Sequence, residues 1–185
     1  MGRWPDMQLY LVRHPQPEVA PGLCYGSTDL PAVESGIGTA LDTLSRHGLH
    51  GLPAYSSPLQ RCAALARRLS CAPVFDPRLA EMDFGAWEMR SWDDIPRAEV
   101  DAWTADLLHY RPGGGESVMD VATRVAAFHD EIRMAGIEQA LVICHAGAMR
   151  LLASLHLGGG IEEAALRAAQ APHRIAYGEL LVLKR

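Results

Sequence analysis

The sequence lacks any apolar run of the roughly 20 residues that a membrane span requires, so a membrane protein of the helical kind is not expected. It lacks a basic surplus. Lys and Arg total 17 against 22 Asp and Glu, a formal net charge of -5, which argues against a nucleic-acid partner. Any anionic substrate would then need a local basic pocket. Residues 1–6 are followed by no apolar h-region, so no signal peptide is expected and this segment reads as a short frayed arm. Cysteine is scarce. Cys24, Cys62, Cys71 and Cys144 form no Cys-x-x-Cys pair and have no zinc-like spacing with histidine. They read as reduced thiols of a cytoplasmic protein. The eight histidines include no His-x-His or His-Glu-x-x-His, so no metal and no cofactor are expected. Internal repeats are absent too, as is any linker rich in Gly, Ser or Pro. Residues 1–185 therefore read as one domain.

What is present is an ordinary core-forming mixture, 49% hydrophobic and 21% charged. Gln8-Leu9-Tyr10-Leu11-Val12 is a short β-rich run that stops at Arg13-His14-Pro15. Ala140-Leu141-Val142-Ile143-Cys144 repeats that form and stops at His145-Ala146-Gly147. Residues 179–183, 53–56 and 73–76 are further strand candidates. Helical spacing is expected over 37–47, 58–69, 116–134 and 148–157, with Ser56-Ser57 offering a cap and Pro58 a first-turn residue for the second of these. The alternation implies an α/β fold, a three-layer sandwich around a mostly parallel central sheet. Residues 83–112 differ: they hold Trp87, Trp92, Trp103 and Tyr110 and no clear strand. They read as a small cap-like insertion.

Open parallel sheets bind ligands beyond the carboxyl ends of their strands. Arg13-His14 and His145 both fall at such ends. If the strands are neighbours, both imidazoles enter one crevice. The charge on Arg13 would disfavour protonation of His14, and a neutral imidazole has a lone pair that can attack phosphorus. Its other nitrogen must then donate its proton, with a backbone carbonyl the expected acceptor. Arg61 is near the start of a helix, where a guanidinium is out of place unless an anion is there too; phosphate suits its fork. A carboxyl group beside a bound phosphate keeps its proton longer and can donate it to a leaving oxygen. By spacing alone Glu81, Asp83 and Glu88 are equal candidates.

Leu11-Val12-Arg13-His14, Ser57-Pro58-Leu59-Gln60-Arg61, Glu81 with Phe84-Gly85, and Cys144-His145-Ala146-Gly147 occur in that order. Together they resemble the histidine phosphatase superfamily, in its phosphoglycerate-mutase-like branch, over nearly the whole chain. Pro112-Gly113-Gly114-Gly115-Glu116-Ser117 also resembles a segment frequent there. The resemblance implies a catalytic set of His14, Glu81, His145, Arg13 and Arg61. His14 would become a phosphohistidine, and Glu81 would be proton donor and then base for water. It implies that Arg13, Gln16, Arg61, His145 and Ala146 bind substrate, with the arginines and a protonated or donating His145 supplying the positive field. Pro15 stands where the family usually has glycine and removes a backbone donor; Pro17 removes a hydroxyl.

The run Gly22-Leu23-Cys24-Tyr25-Gly26-Ser27-Thr28-Asp29-Leu30-Pro31 is most similar to alpha-ribazole phosphatase-like members. The expected activity is a phosphomonoester hydrolase, with alpha-ribazole 5'-phosphate as candidate substrate in cobalamin biosynthesis. The alternatives are a mutase-like phosphoryl transferase, for whose insertions the chain has little room, and a regulatory phosphate-binding module. The expected partner is a small phosphorylated metabolite, with a homodimer as a possible assembly. Trp87, Trp92, Trp103, Tyr110 and Tyr25 are expected to include rings that stack on a flat leaving group.

Overall fold

In the computed structural model, residues 7–70, 72–172 and 174–184 are described. Residues 1–6, expected to be a short arm, and Cys71 lie outside them. Five strands form one sheet in the order β3-β2-β4-β1-β5. These are β1 (Gln8–Arg13), β2 (Ala54–Ser56), β3 (Val74–Phe75), β4 (Gln139–Cys144) and β5 (Leu180–Leu183). All neighbours pair in parallel except β5, which runs antiparallel to β1 at one edge. β1 and β4 are inner strands covered on both faces, which explains why their sequences are continuous apolar runs rather than alternating ones.

Helices cover both faces, and two clusters of buried side chains mark the resulting layers. On one side α1 (Glu34–Arg46) and α2 (Gln60–Leu69) bring Ile37, Leu44, Leu65 and Ala66 against Val12, Leu141 and Ile143. On the other, α4 (Val118–Met134), α5 (Ala146–His156) and α6 (Ile161–Gln170) pack Val125, Phe128, Met149 and Leu152 on Leu9, Leu11 and Val142. The fold is thus an α/β sandwich around a mostly parallel sheet.

Element boundaries differ from the sequence expectation where local chemistry decides. α2 begins at Gln60, not Pro58, because Ser57 closes a turn on Leu59 N–H and Leu59 takes the extended N-cap conformation. α4 begins after a capping box in which the Ser117 and Asp120 side chains exchange bonds with each other's backbone N–H. α5 starts directly at Ala146, with His145 as its N-cap. α6 was not expected. Its apolar stripe of Ala164, Ala165 and Ala168 is built from small residues, a weak hydropathy signal that packs well against α4 and α5.

Residues 83–112 contain short 3-10 turns and α3 (Arg97–Ala105), and no strand. Trp87, Ile95 and Cys24 are buried together there, with Trp103 and Tyr110 against them. The Gly113-Gly114-Gly115 run is not the flexible turn its composition suggests. A Cβ on Gly113 would overlap Phe84 O, one on Gly115 would overlap Asp83 O, and one on Gly85 would overlap Gly113 O. Two backbone segments therefore touch directly, which only glycine permits.

Candidate active site

β1 and β4 pair in register, Val12 with Ile143 and Arg13 with Cys144. His14 and His145 are thus the first residues beyond two adjacent strand ends. The His14 N–H donates to Cys144 O at 3.0 Å, and the two imidazole centroids are 5.0 Å apart. β2 ends alongside, with Ser57 N–H donating to Ile143 O at 2.9 Å. Three strand ends therefore deliver the Arg-His pair, the His-Ala-Gly segment and the Ser57-to-Arg61 segment to one crevice.

His14 is buried, and its Nδ1 donates to Pro15 O at 2.7 Å. A carbonyl can only accept, so the ring proton is on Nδ1 and the Nε2 lone pair is free. Pro15 withholds an N–H but supplies this carbonyl. The His14 pKa falls to about 3. Burial is the largest cause and Arg61 the next; the Pro15 bond opposes them, and Arg13 contributes least. The sequence argument had credited Arg13.

Arg13 donates through Nη1 to Ile175 O at 2.5 Å, and its guanidinium lies 4.1 Å from the Tyr177 ring centroid. Arg61 is fully buried and donates to Thr28 O at 2.7 Å and Gly26 O at 2.5 Å. The Nε atoms of both arginines are buried without a hydrogen-bond partner among the described residues. Each guanidinium is fixed by carbonyls, and neither forms an ion pair with a carboxylate among the described residues.

The three carboxylates that spacing could not separate differ in their surroundings. Asp83 accepts from Gly85 N–H within its own turn. Glu88 accepts backbone N–H groups from Gly26, Ser27, Thr28 and Phe84. Burial raises its pKa, but these bonds and that from the Thr28 hydroxyl outweigh burial and hold it below its ordinary value. Glu81 alone of the three lines the cavity. Its carboxylate accepts from Met82 N–H and Gly147 N–H, both at 3.1 Å. A Cβ on Gly147 would overlap Glu81 Oε1, so the glycine of the His145 segment makes room for this carboxylate. Behind it, Arg124 donates to the carbonyls of Arg78, Ala80 and Glu81 and pairs with Glu116 at 2.8 Å. Glu116 also accepts from Asp83 N–H. Sequence reasoning noted Glu116 only as part of a familiar segment and missed Arg124 altogether.

The cavity holds about 630 Å³. Its polar end is formed by Arg13, His14, Arg61, Glu81 and Gly147, with Arg150 also on the wall. Its other walls are apolar: Leu23, Met82, Phe84, Trp92, Trp103, Leu107, Val121 and Leu151.

Three expected site residues are not among those that line the cavity. Gln16 is exposed and is not among the lining residues; its carbonyl accepts from Val33 N–H beside the Pro17–Ala32 bridge, which carries this residue outward. Ala146 is buried, and Gly147 lines the cavity in its place. His145 is fully buried behind His14 and does not itself line the cavity. Burial, together with His14 and the nearby arginines, holds its pKa well below the ordinary value, so the protonated form is disfavoured.

The expected aromatic group also divides. Trp87 has no exposed surface and donates to Glu99 at 2.6 Å; it is core. Trp92, Trp103 and Tyr25 line the cavity, joined by Tyr177 and Phe84, which sequence reasoning did not single out for this role. Tyr25 and Tyr177 share a hydrogen bond at 2.7 Å, linking loops 152 positions apart in the chain.

The sequence profile of the histidine phosphatase superfamily, branch 1, matches residues 9–176. The chain belongs to this superfamily. It is 32% identical over 157 residues to the adenosylcobalamin/alpha-ribazole phosphatase of Salmonella typhimurium, covering 79% of this chain and 77% of that one. It is 35% identical over 167 residues to the bifunctional protein Rv2228c of Mycobacterium tuberculosis, covering 83% of this chain but 45% of the relative. The chain therefore spans about half the length of that mycobacterial protein. Among solved structures, the alpha-ribazole phosphatase of Shigella flexneri superimposes with a TM-score of 0.75 at 28% identity, over 95% of this chain and 89% of the other. No helix among the described residues of this superfamily member is long and apolar enough to cross a membrane.

Proposed function

We propose that this protein is a phosphomonoester hydrolase that works through a phosphohistidine on His14. The observation that carries the reading is the His14 tautomer: Nδ1 is tied to Pro15 O, leaving Nε2 as a nucleophile beside two arginines. Nε2 attacks phosphorus, and the bond from phosphorus to the leaving oxygen breaks as Glu81 gives that oxygen its proton. Glu81, now a carboxylate, takes a proton from water, and the resulting hydroxide displaces His14 from phosphorus. Arg13 and Arg61 hold the equatorial oxygens with fixed positive charge, which acts most strongly on the transition state, and neutral His145, packed against His14, adds a ring N–H. We read residues 1–185 as one domain and 83–112 as its cap.

The finer reading concerns the substrate. A leaving group in the apolar part of the cavity would meet Trp92, Trp103 and Phe84. A flat ring system fits such walls, and alpha-ribazole 5'-phosphate is the candidate that the named relatives also suggest. The phosphorylated metabolite would be met in the cytoplasm. The deciding experiment measures turnover of p-nitrophenyl phosphate, then of a panel containing alpha-ribazole 5'-phosphate and 3-phosphoglycerate, with mutase activity assayed in parallel. Hydrolysis with preference for the aromatic ester is expected. Mutase activity that exceeds hydrolysis points to a transferase. Phosphate binding without turnover points to a regulatory module.

A further inference from the structure

Ser57 is buried at the end of β2. Its hydroxyl has two close neighbours: Leu59 N–H, which donates to it at 3.3 Å, and His145 Nε2 at 2.9 Å. A backbone N–H can only donate, so the hydroxyl's own proton needs another acceptor. Nε2 accepts only when the imidazole proton is on Nδ1. The Cys62 thiol also lies near this hydroxyl, but a thiol sulfur is a weak acceptor, and its own S–H has two acceptors in reach, Cys144 O at 3.6 Å and His145 Nε2 at 3.4 Å; the second of these also requires a bare Nε2. In the reverse tautomer Ser57 Oγ would receive two N–H groups while its buried proton faced only sulfur.

We propose that Ser57 is a positioning residue that fixes His145 as the Nδ1–H tautomer, so that neutral His145 presents a proton to the phosphoryl group. The Nδ1 atom is buried with no hydrogen-bond partner among the described residues, on a ring packed against His14. Both histidines then carry their proton on the same atom but face opposite ways. His14 uses its N–H on Pro15 O and turns a lone pair toward the substrate. His145 uses its lone pair on Ser57, and its buried N–H is left for a group on the His14 side of the ring. A neutral donor meets the need of the mechanism without a positive charge at a site where burial disfavours one. The catalytic consequence rests on the phosphatase reading; the tautomer does not.

The test begins with wild-type protein labelled with ¹⁵N in its histidine rings, His145 being assigned by comparison with His145→Gln. Multiple-bond proton–nitrogen spectra at neutral pH are expected to show protonated Nδ1 and bare Nε2. Protonated Nε2 overturns the proposal whatever the activity. Ser57→Ala is expected to shift His145 toward the other tautomer. Turnover and vanadate affinity should each fall on the order of 10–100-fold, the range for partners that orient a functional histidine. Ser57→Thr, which keeps the hydroxyl, should restore most of both. A folded Ser57→Ala protein with wild-type turnover and vanadate affinity would reduce Ser57 to a turn residue and sink the idea. A wild-type protein that has the Nδ1–H tautomer but hydrolyses no phosphomonoester would instead sink the phosphatase reading alone.

Discussion

The two ends of the cavity are built on different principles. At the polar end His14, Arg61 and Glu81 are each held by backbone groups, from Pro15, from Gly26 and Thr28, and from Met82 and Gly147. At the other end Leu23, Trp92, Trp103 and Leu107 present ring and aliphatic surface supplied by the 22–26 loop and the 83–112 segment. One end is defined by direction, the other by shape. Backbone-anchored groups tolerate little change in residue type, whereas an apolar wall can be repacked by many side chains. Chemistry should therefore be lost abruptly at the first end, and substrate preference should drift at the second.

The sharpest break is His14→Ala. Turnover is expected to fall roughly 10⁴-fold or more, as for other covalent nucleophiles, with the circular dichroism spectrum unchanged. A trapped wild-type intermediate should resist base and decay in acid. Phosphate recovered on serine or cysteine would assign the nucleophile elsewhere. Next in size, Glu81→Gln should cost about 10²–10⁴ in kcat on alkyl phosphates and far less on p-nitrophenyl phosphate, whose leaving group needs no proton. Gly147→Ala should show the same substrate dependence, because its Cβ would displace Glu81. Equal losses on both esters would remove Glu81 from the role of acid.

At the apolar end the expected effects are smaller and selective. Trp103→Ala should lower kcat/KM for an aromatic phosphomonoester about tenfold, on the scale of one lost apolar contact, and leave 3-phosphoglycerate nearly unaffected. Trp87→Ala should do the opposite. It should lower the melting temperature through a core loss of about 3–5 kcal/mol without changing preference. If Trp87 changed preference and Trp103 only stability, the assignment of wall and core would be reversed.

A further effect concerns stability rather than turnover, through its pH dependence. His14, with a pKa near 3 in the folded protein against 6.5 when free, binds more protons unfolded than folded between those values. His145 shifts in the same direction. Their contribution to stability is complete above pH 6.5 and declines as pH falls toward 3. The melting temperature should drop from pH 7 to pH 4, and His14→Asn should flatten that slope. An unchanged slope would mean that other groups set the acid limit.

The same contrast governs what could be read from the chain beforehand. Strand ends and the four motifs singled out Arg13, His14, Arg61 and Glu81, which line one cavity, because each lies within a few residues of the turn that orients it. Gln16 was misplaced because its direction depends on Pro17 pairing with Ala32, a contact invisible in a local window. Arg124 and Tyr177 were missed because they reach the site only after the sheet has closed. The aromatic segment showed that rings were plentiful but not which of them faced inward: Trp87 and Trp92 are five residues apart, one buried and one on the cavity wall. α6 escaped notice because alanine fills its buried stripe.

The Glu88 carboxylate has a consequence that reaches beyond its own turn. It gathers the N–H groups of Gly26, Ser27 and Thr28, and the carbonyls of Gly26 and Thr28 in turn hold Arg61. An acid from the 83–112 segment, itself off the cavity lining, thus arranges the carbonyls that hold a cation of the cavity wall. The loop is folded around this internal anion before any external one arrives. On the proposed function, an incoming phosphate would meet a guanidinium whose rotamer is already chosen, and little of its binding energy would be diverted into ordering the protein. Drift in the 83–112 segment can reshape the leaving-group wall freely only while position 88 keeps its charge.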